Sequence, residues 1–157
     1  MKVVFLETGK TKEKIIQSLA ETYYKRLKHY IGFEVDTIPD LKNTKSMDQE
    51  EVKRKEGELI LKKIDNSDLL VLLDENGKTF SSIQFANQIQ LMMNRGPKRI
   101  VFCIGGAYGF DSSVYDRCDM KISLSKMTFS HQIIRPIFAE QLYRAFTILK
   151  NEPYHHQ

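Results

Sequence analysis

The residues most able to act on a ligand follow three apolar runs, each of the kind that forms a buried strand. Residues 74–80 follow the first run, 105–111 the second and 125–130 the third. In an open α/β sheet, ligands bind where parallel strands end, so these three loops are expected to meet at one site. Asp74 and Glu75 could contact that ligand there, although carboxylates at strand ends are often only solvated.

The middle loop contains Gly105-Gly106-Ala107-Tyr108-Gly109, with three glycines in five residues. Glycine lets backbone approach a ligand closely and adopt a positive φ. The stretch matches neither the dinucleotide pattern G-x-G-x-x-G nor the phosphate loop G-x-x-x-x-G-K-[ST]. A tight turn between a strand and a helix would have the same composition, so the loop alone leaves a ligand site and a simple turn both open.

Patterns for nucleophilic or metal chemistry are absent from the sequence. It has no G-x-S-x-G nucleophile elbow. Cys103 and Cys118 form no C-x-x-C pair and have no His at ligand spacing, so we expect reduced thiols and no metal site. Of the four histidines, His29 is predicted on a helix surface and His131 at a helix start. His155 and His156 lie in a polar tail that could be disordered or could belong to a partner site.

The composition is that of an ordinary globular protein. A chain of 157 residues, 41% hydrophobic and 28% charged, suits one domain over residues 1–157 with a sizeable core. No apolar run is long enough to cross a bilayer. The first apolar stretch is short and is followed at once by Glu7 and Lys10, which is a poor signal peptide. We therefore expect a cytoplasmic protein without a membrane partner.

Positive charge is concentrated near the N-terminus. The net charge is 24 minus 20, or +4, and residues 1–31 carry seven Lys and Arg against three Glu. A basic face of this kind could meet phosphates. It could equally be an ordinary solvated helix face, and charge alone favours that second interpretation.

Hydrophobic spacing predicts alternating strands and helices that would position these loops. Strands are predicted at residues 2–8, 33–38, 68–74, 99–104 and 121–124, and helices at 15–31, 46–64, 81–96, 112–117 and 131–150. Gly32 is expected to end the first helix, and Ser46 with Gln49 and Ser81 with Gln84 read as capping boxes. Strands apolar on both faces that alternate with helices indicate an α/β fold, a parallel sheet flanked by helices.

Longer stretches are more specific than these patterns. In chain order they are Lys55-Glu56-Gly57, Leu73-Asp74-Glu75-Asn76-Gly77-Lys78, Ile104-Gly105-Gly106-Ala107-Tyr108-Gly109-Phe110, Leu124-Ser125-Lys126-Met127-Thr128-Phe129-Ser130-His131-Gln132, Glu140-Gln141-Leu142-Tyr143-Arg144-Ala145-Phe146 and Pro153-Tyr154-His155-His156. Their order and spacing over essentially the whole chain resemble the RlmH family of SPOUT RNA methyltransferases. The family usually has Pro where this chain has Ser130. Serine is a good helix N-cap and Pro suits a first turn, so we expect the change to be tolerated.

The resemblance implies a SPOUT-type fold with a C-terminal trefoil knot, a homodimer whose partner subunit completes the active site, and S-adenosyl-L-methionine as the cofactor. Knots are improbable on topological grounds, so this one rests on the resemblance alone. It also implies catalytic or RNA-side roles for Arg144, Tyr154 and His155. The implied cofactor contacts, made mostly by backbone atoms, are Leu73, Gly105, Leu124, Ser125, Lys126, Met127, Thr128 and Phe129.

The implied activity is methylation of N3 of a pseudouridine in large-subunit (23S) rRNA on assembled ribosomes. The cofactor carries its methyl group on a good leaving group, so the protein must mainly hold that group in line with N3. Arg144 would polarise the base or grip a phosphate, and His155 would assist proton removal or position the base. The candidates for contact with rRNA are Lys10, Lys12, Lys25, Arg26 and Lys28.

Three alternatives remain open from the sequence. Another SPOUT enzyme acting on tRNA would share the fold and the cofactor. A ribosome- or RNA-binding module without catalysis would differ in class, and the intact glycine loop and residues 124–129 argue against such a loss. A flavodoxin-like or receiver-type signalling domain would need an acidic phosphoacceptor pocket, which the sequence does not show.

Overall fold

The computed structural model describes residues 1–156, whose strands form one five-stranded parallel sheet. The strands are β1 (Lys2–Thr8), β2 (Gly32–Ile38), β3 (Leu69–Thr79), β4 (Arg99–Ile104) and β5 (Met120–Ser123). The helices are α1 (Lys14–Leu27), α2 (Gln49–Lys62), α3 (Ser82–Asn94), α4 (Ser112–Arg117) and α5 (Ile134–Leu149), with a 3-10 turn at Thr44–Ser46. The strand order is β2-β1-β4-β3-β5. No helix in the described part of the chain is long and apolar enough to cross a membrane.

Helices cover both faces of the sheet, which explains why its central strands are apolar throughout. One face packs against α1, α3 and α5, where Phe5, Phe102 and Phe138 share a buried aromatic cluster. The other face packs against α2 and α4, and includes Leu6 and Leu72. Successive residues of one strand therefore pack into the cores on opposite faces of the sheet. The predicted α/β fold is confirmed.

Two predicted features of helix ends are wrong and one is confirmed. Helix α1 ends at Leu27, and Gly32 instead begins β2 opposite Lys2. Residues 28–31 form turns in between, because the N–H groups of residues 29 and 30 bond carbonyls only three residues back. The capping box of Ser81 and Gln84 is present with both hydrogen bonds, 3.2 and 2.9 Å long.

The predicted capping box of Ser46 and Gln49 is also wrong. Helix α2 is capped by Asp48, whose carboxylate accepts the N–H of Glu51 at 2.8 Å. Ser46 ends the 3-10 turn, and its hydroxyl donates to the carbonyl of Asn43. Asp48 directly precedes Gln49, the first residue of α2, whereas Ser46 lies three residues before it. Asp48 therefore occupies the N-cap position.

Strand β3 is longer than predicted, because residues expected to form a loop pair with β5. Ile122 pairs with Leu73 and again with Lys78, so residues 74–77 bulge out between the two contacts. At Gly77, an added Cβ would lie 2.6 Å from the backbone nitrogen of Ile122. Only glycine permits this approach. The trefoil knot itself stays a prediction.

A buried ion pair joins the start of α5 to the end of β1. The Arg135 side chain is 0% exposed, and its Nη1 lies 3.2 Å from Oε2 of Glu7. The same guanidinium donates to the hydroxyl of Thr11 and to the carbonyl oxygens of Thr8 and His131. Burial raises the pKa of Glu7, and the hydrogen bond from Tyr24 and the charge of Arg135 oppose that rise. Each of the three guanidinium nitrogens of Arg135 thus has a hydrogen-bond partner.

We expect Arg135→Met to lower the free energy of unfolding by about 3–5 kcal/mol, because it leaves the Glu7 carboxylate buried without its counter-charge. Urea titration followed by circular dichroism measures the change. Combining it with Glu7→Gln removes both charges, so the double variant should recover part of the loss. A single variant as stable as the unsubstituted chain would show that the pair does not matter for folding.

Candidate functional site

A cleft lies beyond the carboxyl ends of β3, β4 and β5, where the three loops meet. Its volume is about 750 Å³, within the range of about 300–1,000 Å³ typical of small-molecule sites. The lining comes from residues 73–76, 104–110, 122–125 and 127–131, with Gln49, Tyr115 and Ile134. The three loops therefore meet at one end of the sheet, as the sequence predicted.

Most residues expected to hold a cofactor are brought together here. Leu73 and Gly105 line the cleft, as do residues 124–125 and 127–129. Lys126 is exposed and does not line it. Met127 is 77% exposed and Phe129 37% exposed, so two large apolar side chains stand at the rim.

Short-range hydrogen bonds shape the loop that follows β5. The Ser125 hydroxyl accepts the N–H of Met127 at 2.9 Å, and the Ser123 hydroxyl donates to the Ser125 carbonyl at 2.7 Å. The Thr128 hydroxyl donates to Glu75 at 2.8 Å, which joins this loop to the bulge of β3. These hydrogen bonds join the loop to itself and to the bulge of β3, and so hold one side of the cleft in place.

Ser130 leads this loop into α5 in the manner of a helix cap. Its hydroxyl accepts the N–H of Ile133 at 3.2 Å, and its carbonyl accepts the N–H of Ile134. The serine thus satisfies a donor that a proline at this position would leave to solvent. This contact agrees with the expectation that Ser130 is tolerated, which stays a prediction.

The glycine-rich loop turns tightly against Glu56, a residue to which sequence reasoning gave no role. Gly109 has a φ of +81°, and its N–H bonds the Gly106 carbonyl at 3.2 Å. A Cβ on Gly106 would lie 2.6 Å from Oε2 of Glu56. That oxygen is buried and has no hydrogen-bond partner within the described residues. Burial and, to a lesser extent, Asp40 raise the pKa of Glu56. The Lys55-Glu56-Gly57 motif was the only signal in the sequence.

The charge of the cleft is negative. Asp74 and Glu75 line it, and no Lys or Arg is among the described residues of its wall. Asp74 accepts hydrogen bonds from the hydroxyl of Tyr115 and the N–H of Asn76, which orient its carboxylate. His131 adds no fixed positive charge, because burial, Arg135 and Lys12 lower its pKa. The cleft therefore suits a cationic ligand better than a phosphate, which proteins hold with Arg, Lys or backbone donors.

The residues expected to be catalytic form a second group at the far end of α5. The Arg144 guanidinium bonds Glu140 and lies 3.3 Å from Nδ1 of His155 and 4.9 Å from the ring centre of Tyr154. The Tyr154 hydroxyl donates to Glu140 at 3.1 Å. The hydrogen bond to Glu140 is the main reason that the pKa of Arg144 is raised. Glu140 was missed, although its i, i+4 spacing from Arg144 was a visible signal.

This catalytic cluster (Glu140, Arg144, Tyr154 and His155) and the cleft are separate in one chain. Ile134 lines the cleft, and Arg144 lies ten residues further along the same helix. At 1.5 Å per residue this places the two about 15 Å apart along the helix axis. None of Arg144, Tyr154 and His155 lines the cleft. One chain alone does not bring the expected cofactor and catalytic residues together.

Neither cysteine belongs to these groups as a reactive thiol. Cys103 is 0% exposed, and burial raises its pKa; Cys118 is partly buried, and burial also raises its pKa. Both are free of disulfides. Within residues 1–156, no cluster of His, Cys, Asp and Glu could hold a metal ion.

A doubly covered parallel sheet with an acidic, glycine-lined cleft at its carboxyl edge defines an α/β protein that binds a small cofactor. The chain belongs to the SPOUT methyltransferase family, whose model, described as a predicted SPOUT methyltransferase, matches residues 1–155. It is 62% identical over 149 residues to "Ribosomal RNA large subunit methyltransferase H" of Christiangramia forsetii, covering 95% of each chain. It is 57% identical to the protein of that name from Flavobacterium psychrophilum, covering 100% of each. These similarities confirm the resemblance to the RlmH family.

Among solved structures, the SpoU methyltransferase AviRb from Streptomyces viridochromogenes, in complex with AdoMet, is 13% identical with a TM-score of 0.46. The match covers 96% of this chain and 61% of that one. A likeness this weak carries no inference about the present cleft.

We expect Gly77→Ala to lower the free energy of unfolding by about 1–3 kcal/mol, because the new methyl group would overlap the backbone of Ile122. Gly106→Ala is the matched control, since the atoms nearest its methyl group would be the carboxylate end of the Glu56 side chain, which can rotate, and not backbone. Urea titration of both variants gives the comparison. Equal losses would contradict the view that the β3–β5 contact requires glycine.

Proposed function

We propose that this chain is an S-adenosylmethionine-dependent methyltransferase that modifies N3 of a pseudouridine in 23S rRNA of assembled ribosomes in the cytoplasm. The main support is that the SPOUT methyltransferase model matches residues 1–155 and that the similar proteins are named as methyltransferases of large-subunit rRNA. The acidic cleft supports the cofactor, and the catalytic cluster supports a second substrate outside that cleft.

The charge and the volume of the cleft suit S-adenosylmethionine. That cofactor has a sulfonium and an ammonium group, and the wall offers the carboxylates of Asp74 and Glu75 without a competing Lys or Arg among its described residues. Leu73, Ile104 and Leu124 supply an apolar wall for the adenine ring. When bound, the cofactor supplies an electrophilic methyl group. The residues that would hold it are Leu73, Gly105, Leu124, Ser125, Met127, Thr128 and Phe129.

The contact between Arg144 and His155 supports one of the two roles considered for the histidine. An arginine can only donate, so Nδ1 of His155 must accept, and a neutral imidazole then has its hydrogen on Nε2. In that tautomer His155 presents a donor to the RNA base. It is therefore arranged to hold a carbonyl oxygen of the pseudouridine and to orient N3, and not to accept the N3 proton.

Arg144 and Tyr154 complete this arrangement. Glu140 and Tyr154 fix the plane of the Arg144 guanidinium from two sides. A charged donor fixed in this way can polarise the base carbonyl, which favours loss of the N3 proton to water. The tail remains close to α5 because the N–H of Glu152 bonds the Thr147 carbonyl at 2.9 Å.

A homodimer would join the cleft of one subunit to the catalytic cluster of the other. The distance between the two groups along α5 supports this, since neither is complete alone. An exposed apolar face on α1 supplies a surface for a second copy: Ile15 is 83% exposed and Leu19 is 47% exposed. Exposed apolar patches of this kind mark association sites.

The proposal also includes a single domain over residues 1–157 and the trefoil knot implied by the family. One continuous sheet, to which all five strands contribute, supports the single domain. The bulge of β3 over Ile122, held by backbone contact at Gly77 and by the bond between Glu75 and Thr128, supports a chain crossing near the cleft.

His155→Ala should lower the single-turnover rate of methyl transfer by about 10- to 100-fold, because it removes the donor that orients the base. His155→Gln keeps an N–H donor of similar reach and should retain much of the rate. The measurement is transfer from labelled S-adenosylmethionine to ribosomes under enzyme excess. An unchanged rate in His155→Ala would exclude a role for this histidine.

Replacing Ile15 and Leu19 together by Lys should produce monomers, because the charges would have to be buried against the second copy. Sedimentation velocity measures the change, and methyl transfer should fall with it while the fold is kept. Leu91→Lys is the matched control, since Leu91 is 56% exposed on α3. A double variant that stays dimeric would place the interface elsewhere.

The experiment that tests the function itself supplies labelled S-adenosylmethionine with ribosomes lacking the modification, free 23S rRNA, or tRNA. Label only in 23S rRNA of intact ribosomes, mapped to N3 of a pseudouridine, is the expected result. Label in tRNA would identify a different RNA substrate. Cofactor binding by calorimetry without transfer to any RNA would indicate a non-catalytic binding module.

A further inference from the structure

A second cavity, of about 380 Å³, lies between the C-terminal ends of α1 and α5. Its wall consists of Arg26, His29, Tyr30, Tyr143, Lys150 and Glu152. Apart from Arg26, expected to contact rRNA, none of these residues has a part in the proposed chemistry. We call this cavity the tyrosine pocket.

Two aromatic rings of the pocket are held in place by their neighbours. The rings of Tyr30 and Tyr143 are 5.7 Å apart and nearly perpendicular, at 77°. Tyr30 also stacks against Phe146, with ring centres 6.0 Å apart, and its hydroxyl bonds Glu152. Rings fixed before binding lose little entropy when a flat ligand packs on them.

Charge on the rim favours a phosphate beside that flat ligand. Arg26 and Lys150 are exposed cations at the pocket, and Arg26 lies 5.5 Å above the ring of Tyr143. Glu152, the one carboxylate among the described residues of the wall, accepts the hydroxyl of Tyr30, and the two cations outnumber it. Fixed aromatic faces with neighbouring basic groups are the combination that binds unpaired nucleotides through stacking and phosphate contact.

The tyrosine pocket adjoins the catalytic cluster. The rings of Tyr143 and Tyr154 are 4.8 Å apart, and Tyr154 lies against Arg144. A base presented to Arg144 and His155 would therefore have its neighbour in the RNA strand close to the pocket.

We infer that the tyrosine pocket binds one unpaired nucleotide next to the methylated base, with its base against Tyr30 and Tyr143 and a phosphate at Arg26 and Lys150. This inference rests on the proposed function for the identity of the RNA. A splayed-out base is required, because a ring inside a duplex is already stacked on both faces. The pocket would thus hold the strand while the target base occupies the active site.

The first test replaces the Tyr30 ring. Tyr30→Leu should weaken binding of unmodified ribosomes about tenfold, as expected for loss of one base–aromatic stack. Tyr30→Phe loses the hydroxyl but keeps the ring, and it should restore most of the affinity. Co-sedimentation measures the dissociation constant, and thermal melting confirms that both variants are folded. Equal affinity in the Leu and Phe variants would overturn stacking on Tyr30.

The second test reverses one charge. Lys150→Glu should weaken ribosome binding. It should also reduce the slope of log K against log salt by about one unit, because one phosphate contact is lost. Lys62→Glu is the matched control: Lys62 is exposed on α2, which packs on the opposite face of the sheet. The same effect in both variants would indicate general attraction to RNA and overturn a phosphate contact at the pocket.

These measurements separate the pocket from the proposed reaction. Ribosome binding that depends on the Tyr30 ring, with no methyl transfer by the unsubstituted chain, would support the pocket and reject the reaction. Methyl transfer with binding that does not depend on the ring would support the reaction and overturn the pocket. No ribosome binding by the unsubstituted chain would reject both.

Discussion

The backbone contact between β3 and β5 determines where the functional loops can lie. Gly77 approaches Ile122 so closely that a single methyl group would overlap the backbone. Because of this contact the chain after Leu73 bulges over β5 and rejoins it at Lys78, which carries Asp74 and Glu75 to the cleft. The loop after β5 then meets that bulge through the bond between Thr128 and Glu75. The acidic wall of the cleft thus depends on one close approach between two strands.

A second set of polar contacts holds the other side of the cleft. Arg135 is buried at the first turn of α5 and bonds groups from β1, the loop after β1 and the turn at His131. Buried charges are tolerated when they are paired and hydrogen-bonded, and all three nitrogens of this guanidinium have a partner. It anchors the end of α5 at which the cleft lies. The opposite end of the same helix carries Arg144 and the folded-back tail.

The cleft and the catalytic cluster lie toward opposite ends of α5, and this separation gives the proposed dimer its physical reason. The cleft has negative charge and apolar walls, which suit a small cation. The catalytic cluster and the tyrosine pocket have cations and aromatic rings, which suit RNA. If both environments shared one cavity, the carboxylates and the cations would weaken each other's attraction for their ligands. A dimer that sets the cleft of one subunit against the catalytic cluster of the other avoids this conflict.

The sequence by itself determined the sheet class, the order of strands and helices and the glycine-rich loop, because hydrophobic period and turn residues are local properties. Through its ordered motifs it also indicated the family. It did not reveal that residues 78–79 pair again with β5, that Arg135 is buried, or that Tyr143 contacts Tyr154 and so links the tyrosine pocket to Arg144. Those features depend on contacts between residues far apart in the chain, where a charged or aromatic side chain looks the same whether it is solvated or packed. Only the tertiary structure decided which of them would meet.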